Sequence, residues 1–533
     1  MASLRRTPAA VGVALALALT LLPAGAASAD DLFDPAPFAP VPAATGEDDA
    51  EQALATVTEL LAEEPAPHTA KSGDAEAPHG TLAMRDLLVA LPRLDPDEQA
   101  RARDLMARPT DGAEDRLGDG YAVPSRKKCG KKVCVHYVTS TADAPPSKGW
   151  VRYNLKLMDK VWKHQVGKLG FRKPLSDRPV RGANNGGNGK FDVYLKDLGG
   201  RGLYGYCVPE YGPPGRKYAG KAIGYCVLDN DFARAQFGTA PKPTLKVTAA
   251  HEFFHAVQFA YDYTEDRWLL ESTATWMEER FADKVNDNRQ FLPSSQVQAP
   301  WQALDTFSST GSNQYGNWVF WEYLGGRFGN GIVKDVWKRA SPKGRKNPYS
   351  TGALKKVLKR RGGFDKVYRS FAAANVTPGR TYPEGKSWPE PPVNSAVLQK
   401  SRRSVSGSVA INHLAAQHAR VLPGKGLRGK RWKVRIRVDG PSRKTSPGAV
   451  VTVRKKSGKV ERTSISLNRK GKGKTKVAFG KKSVRSVTIT LVNASTRFRC
   501  GAADPAANPQ YSCRGLPRDD AGVFSVAFKA VKR

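Results

Sequence analysis

The stretch TLKVTAAHEFFHAVQFAYD, residues 244–262, constrains the fold of this chain more than any other. It contains no proline or glycine and repeats apolar residues at helical spacing, so it predicts an α-helix. Residues four apart share one face of a helix, and His251 and His255 therefore offer two imidazoles to one ion. Zinc accepts such ligands in tetrahedral sites that keep a position for water. Glu252, the next residue, can reach that water as a general base.

A zinc ion held this way needs a third protein ligand, and DRWLLESTATWMEER (266–280) predicts a second helix that carries one. The residues expected to pack inward are Trp268, Leu269, Thr275 and Trp276. A carboxylate in such a setting is costly to bury unless it is paired or binds a metal. Glu271 fits this position best, and Glu278, two turns further on, is the alternative ligand. We expect Glu265 and Glu279 on the solvated surface.

An H-E-x-x-H pattern in a chain with eight histidines is a specific signal, because its chance occurrence is rare. Two alternatives to a catalytic metal site stay open at this point. One is a surface helix whose histidines and glutamate form an ion pair. The second is a relative of a metalloenzyme that kept the helix and lost the chemistry.

The N-terminus, MASLRRTPAAVGVALALALTLLPAGAASAD, has a charged front, an apolar run and a small-residue cleavage site. It predicts a secretory signal over residues 1–29 and a secreted, extracellular protein. Residues 30–123 carry 21 acidic and 7 basic side chains, a net charge of −14, whereas the chain beyond them carries +49. An acidic segment between a signal and a basic body indicates the pro-region of a zymogen. A solvated linker is the alternative.

The acidic segment begins rich in proline and alanine, a composition that predicts partial disorder. It continues with TLAMRDLLVALPRLDPDEQARARDLMARPTD, which predicts short amphipathic helices. Residues 124–378 alternate strand patterns such as KFDVYLKDL and AIGYCVLDND with helical ones, and predict an α+β domain. A Pro-rich linker follows over 379–400. Residues 401–533 are β-branched and alternating, so they predict a basic, all-β, sandwich-like domain.

The six cysteines fall into three local pairs: Cys129 with Cys134, Cys207 with Cys226, and Cys500 with Cys513. In an exported chain this favours disulfides between near neighbours. No stretch after the signal is long and apolar enough to predict a transmembrane segment. DNDF, residues 229–232, offers clustered oxygen ligands of the kind that Ca²⁺ binds. A helix N-cap or a turn is the simpler alternative.

HEFFHAVQFAYD and WLLESTATWMEE resemble the zincin metallopeptidases whose third ligand is a glutamate, the gluzincin type. The chain is similar in particular to a group of secreted bacterial metalloproteases. These share a glycine-rich strand region before the motif, here GKFDVYLKDLGGRGLYGYC, and a QYGNWVFWEYL helix after it. The resemblance covers residues 129–376, and a weaker similarity extends to ARPTD and to VSGSVAINHLAAQHARVLP.

The resemblance implies a zincin-like fold, zinc ligands His251, His255 and Glu271, and Glu252 as the base. The best-known gluzincins often place an aspartate four residues after the ligand glutamate, where it orients a zinc histidine. This chain has Thr275 there, and a hydroxyl is a weaker acceptor for an imidazole N–H.

The implied activity is that of a secreted zinc-dependent endopeptidase that acts on protein or peptide substrates. Tyr315 opens the helix after the ligand and is a candidate donor to the oxyanion, with a plain core or surface tyrosine as the alternative. The alternative function is that of a secreted protein with a non-catalytic zincin-like scaffold, which binds polyanions. Anionic cell-wall polymers suit the basic body better than nucleic acid, for which no binding module is evident.

Overall fold

The structure is a computed structural model that describes residues 32–33, 49–62, 80–111, 120–179, 185–212, 219–342, 349–505 and 507–532. The predicted signal, residues 1–29, lies outside these residues. So does most of the proline- and alanine-rich start of the acidic segment, for which we predicted disorder.

The described α-helices are α1 (Asp49–Leu61), α2 (Gly80–Ala90), α3 (Pro96–Leu105), α4 (Lys148–Trp162), α5 (Arg234–Phe237), α6 (Pro241–Phe259), α7 (Arg267–Ala282), α8 (Asn313–Gly316), α9 (Trp318–Phe328), α10 (Gly331–Ala340), α11 (Ser350–Leu358) and α12 (Phe364–Ala374). The strands are β1 (Arg126–Cys129), β2 (Val133–Tyr137), β3 (Phe191–Lys196), β4 (Gly205–Tyr211), β5 (Ala222–Asp229), β6 (Asn394–Leu398), β7 (Ser404–Ile411), β8 (Ala415–Pro423), β9 (Trp432–Asp439), β10 (Pro447–Lys455), β11 (Val460–Ser464), β12 (Lys472–Ala478), β13 (Val484–Asn493), β14 (Phe498–Arg499), β15 (Leu516–Pro517) and β16 (Gly522–Lys532).

The first sheet has five strands in the order β1-β2-β3-β5-β4. β2, β3 and β5 are parallel, whereas β1 and β4 run antiparallel to their neighbours at the two edges. α6 packs against β4 and β5, and α7 packs against α6. The strands and helices predicted for this region are confirmed, and the helix with both histidines begins at Pro241, where a missing N–H costs nothing. The sheet edge at β4 and the helix α6 therefore meet beside Glu252.

The acidic segment packs into the same hydrophobic core as this sheet. Its predicted amphipathic helices are confirmed as α2 and α3, and Leu82, Leu87 and Leu105 are buried. α2 lies along β4, the edge strand, with the Tyr211 hydroxyl donating to the carbonyl of Leu88 at 2.8 Å. Described parts of the segment are thus built into the folded body.

The C-terminal part contains a five-stranded sheet, β11-β10-β13-β8-β6, and a four-stranded sheet, β12-β9-β16-β7. Alternate residues of both sheets share one hydrophobic core, for example Val451 and Ile489 of one sheet and Ile436 and Phe528 of the other. α12 packs against β10 and β13, so the five-stranded sheet also contacts the helical part of the molecule.

All six cysteines form disulfides between near neighbours, as predicted: Cys129–Cys134, Cys207–Cys226 and Cys500–Cys513. The Cys207–Cys226 bond joins directly opposed residues of β4 and β5, and it therefore ties the edge strand to the sheet. Across the described ranges, no helix has the length and apolar character needed to cross a membrane.

A buried histidine joins the helical part to the β part. His413 contacts Asp305 through Nε2 at 2.9 Å and Asp520 through Nδ1 at 2.7 Å, with the rings of Phe498 and Tyr511 against it. Burial alone would lower the pKa of His413, but the two carboxylates raise it to about 9. The imidazole is consequently charged at neutral pH and paired with both.

We expect the stability that His413 contributes to depend on pH. Its folded pKa lies above the ordinary value near 6.5, so the contribution is full below pH 6.5 and is lost as pH rises to about 9. In urea unfolding, the free-energy difference between the native chain and His413→Gln should shrink by on the order of 3 kcal/mol between these pH values.

His418 provides the matched control for this measurement. It is also buried, but burial and Arg420 lower its pKa to about 3, so it is neutral throughout the range. The destabilisation caused by His418→Gln should not change between pH 6.5 and 9. A constant free-energy difference for His413→Gln would contradict the assignment of a charged imidazole.

Candidate metal centre

Three donor groups from two helices meet at one point. The ligand atoms of His251, His255 and Glu271 all lie within 4.8 Å of one another. One oxygen of Glu271 is 3.2 Å from Nε2 of His251, and the other is 3.7 Å from Nε2 of His255. Two imidazole nitrogens and a carboxylate are a donor set that zinc prefers. The residues therefore fit the metal that the helical spacing predicts.

A buried glutamine orients His255. The side-chain N–H groups of Gln258 donate to the Leu270 carbonyl at 2.9 Å and to the Thr273 hydroxyl at 3.0 Å. Its amide oxygen must then face Nδ1 of His255, 2.8 Å away, and an oxygen can only accept. Nδ1 therefore carries the proton, and the lone pair of Nε2 faces Glu271.

A glutamate orients His251 in the same way. Oε1 of Glu278 lies 2.6 Å from Nδ1 of His251, so Glu278 fixes the orientation of the imidazole through the nitrogen that points away from Glu271. Burial raises the pKa of Glu278 to about 7, although His251 opposes that rise. Burial alone would lower the pKa of His251, but hydrogen bonds with Glu271 and Glu278 raise it well above its usual value.

Thr275, which stands where the best-known gluzincins often have an aspartate, uses its hydroxyl within its own helix. The hydroxyl donates to the Glu271 carbonyl at 3.0 Å. A β-branched hydroxyl inside a helix readily bonds the carbonyl one turn back. Glu278, seven residues after Glu271, reaches His251 instead because it lies two turns along the same face.

Glu252, the residue after His251, contacts the sheet edge at β4. Its Oε2 accepts a hydrogen bond of 2.8 Å from the Thr81 hydroxyl at the start of α2. The Thr81 oxygen in turn accepts the backbone N–H of Cys207 in β4, also at 2.8 Å. Glu252 is 8 % exposed and Thr81 is 4 % exposed. The carboxylate next to the metal ligands is thus covered by the acidic segment.

Tyr315 lies beside the donor cluster, in α8. Its ring centroid is 6.1 Å from that of His251, and it stacks on Phe291 with a centroid distance of 4.8 Å. The tyrosine is half-buried. The aromatic contact places the ring of Tyr315 next to that of His251.

Glu265 and Glu279 are buried, so their assignment to the solvated surface was wrong. Oε1 of Glu265 accepts the backbone N–H groups of Asp266 and Ser350. Burial raises the pKa of Glu265 well above its usual value. Glu279 pairs with Arg280 at 3.3 Å and accepts from Asn288 at 3.0 Å. Helix α7 is buried nearly all round, which hides the polar face that its sequence suggests.

The DNDF segment forms a turn. Asp229 accepts four backbone N–H groups, from Leu198, Gly199, Asp231 and Phe232, and so its oxygens are already occupied. Among the described residues, two groups could hold a metal ion. One is the group at His251, and the other consists of Glu279, Asp283 and Glu384. In the second group, Arg280 and Arg289 already pair with two of the three carboxylates.

Three site residues were not found from the sequence: Gln258, Thr81 and Arg108. Gln258 lies three residues after His255, so its position on the helix could have drawn attention. Nothing in the sequence indicated a role for Thr81, because its partner Glu252 is 171 residues away. Arg108, which pairs with Asp177, Asp192 and Glu210, lies in the ARPTD stretch that resembles the metalloproteases, but nothing in that stretch indicated these partners.

No protein-family model matches this chain, and no curated protein does. Among solved structures, one similar chain is a family GH115 4-O-methyl-α-glucuronidase with specificity for decorated arabinogalactans, at 9 % sequence identity and a TM-score of 0.13. The match covers 68 % of this chain and 54 % of that one, so this chain spans about half the length of the enzyme. At such a TM-score the likeness carries no argument about the fold or the activity.

Proposed function

We propose that this chain is a secreted zinc-dependent endopeptidase of the zincin type, made as a proenzyme. The observation that carries the proposal is the convergence of His251, His255 and Glu271, with Glu252 one residue from a ligand. Both imidazoles are held through Nδ1, so their Nε2 atoms are available to a metal. Three disulfides are consistent with an oxidising, extracellular location.

The mechanism uses the chain's residues in three roles. A zinc ion held by His251, His255 and Glu271 would supply a water of lowered pKa and would polarise the scissile carbonyl. Glu252 takes the proton of the attacking water and passes it to the leaving amine. Tyr315 donates a hydrogen bond to the oxygen that becomes negative, and Glu278 and Gln258 keep the two imidazoles in place. Each of these groups lies on α6, α7 or α8.

The position of the acidic segment supports a proenzyme. α2 lies along the edge strand β4 and covers Glu252, so an extended peptide has no access to that edge while the helix is there. In the mature enzyme, β4 would present its outer backbone groups to a substrate, as sheet edges commonly do.

The test is casein cleavage by the metal-loaded chain after a cut within residues 112–119 and removal of residues 30–111, with and without a chelator. We expect one zinc ion per chain, hydrolysis that stops on chelation, and recovery when zinc is added back. A chain that binds zinc stoichiometrically, has lost the acidic segment and still does not cleave casein or a peptide library would contradict the proposal.

A second candidate function is polyanion binding, favoured by one feature of the four-stranded sheet. On its outer face Arg435 lies directly between Lys476 of β12 and Lys529 of β16, and Arg437 lies opposite Lys474. Like charges in directly opposed positions destabilise a sheet. A row of three cations therefore favours an anionic partner, and the adjacent serines of β7 leave room for one.

The cation row can be tested without disturbing the metal centre. Replacing Lys476, Arg435 and Lys529 by glutamine should weaken retention on long-chain polyphosphate by at least tenfold, with casein activity unchanged. A control with the same charge change replaces Lys355, Lys356 and Lys359, on and just after α11. Equal losses in both variants would show that retention follows net charge and not the row.

A further inference from the structure

The Thr81 hydroxyl links two groups that a proteolytic site needs. It donates to the Glu252 carboxylate and accepts from the Cys207 N–H on the outer edge of the sheet. A bound peptide would offer a carbonyl oxygen to the same N–H, and the attacking water would donate to the same carboxylate. Thr81 therefore satisfies both groups in place of substrate and water.

The close approach of α2 depends on a glycine. A Cβ atom on Gly80 would lie 2.9 Å from Cβ of Tyr206 in β4, which is closer than side chains tolerate. With glycine at this position, the first turn of the helix touches the strand and the Thr81 side chain reaches Cys207. The fit at Gly80 makes this contact specific to one register of helix and strand.

Three further residues of the segment, Arg85, Asp86 and Leu32, anchor it away from Glu252. Arg85 donates through Nε to the Tyr263 carbonyl at 2.9 Å and through Nη2 to the Glu265 carbonyl, in the loop between α6 and α7. Asp86 pairs with Arg267 of α7 at 2.8 Å. Leu32, at the other end of the segment, is buried in the core of the β part. α2 thus contacts α6, α7 and the loop between them.

The strongest anchor is Arg108. Its side chain is 2 % exposed and pairs with Asp177 and Asp192 at 3.0 Å each and with Glu210 at 2.6 Å. Nε donates a further bond of 3.0 Å to Glu210. Breaking a buried ion cluster by removing one partner is strongly destabilising, because it leaves unpaired charge behind.

These anchors reverse the expectation drawn from net charge. The segment is acidic and the body basic, which predicts carboxylates of the segment on cations of the body. The Asp86–Arg267 pair follows that pattern, but Arg108 places a segment cation among three body carboxylates, and Arg85 binds body carbonyls. Buried pairs are screened little by salt. High salt is therefore not expected to release the segment.

We infer that residues 80–111 form a latch that stays bound after the chain is cut, so that proteolysis of the connecting segment does not by itself activate the enzyme. The inference rests on the proposed function. Thr81 blocks Glu252 and the sheet edge, and Arg108 holds the latch in place. Activation then takes two steps: a cut after Asp111, and destruction or release of the latch.

The basic run Arg126, Lys127 and Lys128 is not the place where we expect the cut. Arg126, Lys127 and Lys128 form β1 and pair with Tyr137, His136 and Val135 of β2. Paired strands resist proteases, because the chain must be extended and unpaired to enter a protease. The Tyr121 hydroxyl also bonds the Leu195 carbonyl at 2.8 Å. We therefore expect the cut after Asp111 and before Tyr121.

The test uses the full chain, with a recognition sequence for a specific endoprotease inserted within residues 112–119. After cutting, the wild-type fragments should co-elute in gel filtration at low and at high salt, and casein activity should stay within a few-fold of the uncut chain. With Arg108→Gln, the cut segment should elute separately, and activity should rise at least 100-fold. Arg101→Gln, an exposed arginine of α3, is the matched control and should behave as wild type.

Thr81 is tested by two variants in the same cut complex. Thr81→Val removes the hydroxyl at constant shape and should weaken retention of the segment by about 10- to 100-fold, since a hydrogen bond to a charged group is lost. Thr81→Ser keeps the hydroxyl and should retain the segment as wild type does. These variants leave Arg108 intact, so they test the latch even if Arg108→Gln does not fold.

The outcomes separate the latch from the proposed activity. A cut wild-type complex that keeps its segment and cleaves casein at the segment-free rate overturns the latch. So does spontaneous loss of the segment on cutting. A segment-free chain that retains zinc and is inactive overturns the proposed function instead, and gel filtration then still reports whether Arg108 and Thr81 hold the segment.

Discussion

Replacing Glu252 by glutamine is expected to lower the rate of peptide hydrolysis by about 10²- to 10⁴-fold and to leave the zinc content unchanged. The Glu252 side chain accepts a hydrogen bond from Thr81. It is not one of the three donor groups that converge at His251. Glutamine has the same shape and cannot take a proton from water. The measurement is kcat/KM on casein-derived peptides together with metal content, for the chain freed of its acidic segment.

Glu265→Gln is the matched control for this prediction. Glu265 is a buried glutamate after the same helix, and its Oε1 accepts two backbone N–H groups, which the amide oxygen of glutamine can also accept. Its activity should stay within a few-fold of the native value. If Glu252→Gln lost zinc in parallel with activity, Glu252 would be a ligand, and the assignment of the base would be wrong.

Removal of Glu271 should have the largest effect on metal binding. Glu271→Ala deletes one of three converging ligands and should abolish stoichiometric zinc binding at micromolar metal. Glu278→Ala removes the group that orients His251 and should weaken binding by about 10- to 100-fold. Zinc titration against a chelating dye, at constant pH, measures both.

Thr275→Val serves as the control in α7. Its hydroxyl bonds a backbone carbonyl of its own helix, so zinc affinity should not change. If Glu278→Ala stripped the metal and Glu271→Ala did not, the third ligand would be Glu278. The distances favour Glu271, because its two oxygens face the Nε2 atoms of both histidines whereas Glu278 faces Nδ1 of one.

Regular patterns of apolar residues were sufficient to predict most of the helices and strands. The helix around His251, the amphipathic helices of the acidic segment and the alternating strands β9, β10 and β13 follow from periodicity. Strands β7 and β8 carried no such prediction. Serine is the commonest residue in β7 and alanine in β8, and both have weak strand propensity, so partners across the sheet decide their conformation.

The metal ligands could be proposed from the sequence because their chemistry is local. His251, Glu252 and His255 lie within five residues, and the period of the helix places the two imidazoles on one face. Glu271 could be ranked above Glu278 as a ligand, but the sequence could not decide whether Thr275 or Glu278 supports a histidine. Which face of α7 meets α6 depends on packing between helices, and packing decided that Glu278 reaches Nδ1 of His251.

The sequence alone determined that two imidazoles share a helix face, that cysteines pair locally and that charge divides the chain. It could not determine where the acidic segment binds. Net charge is a sum over a segment, whereas docking depends on single buried groups such as Thr81 at Glu252 and Arg108 among three carboxylates. Those partners are 69 to 171 residues apart, and only the tertiary structure brings them together.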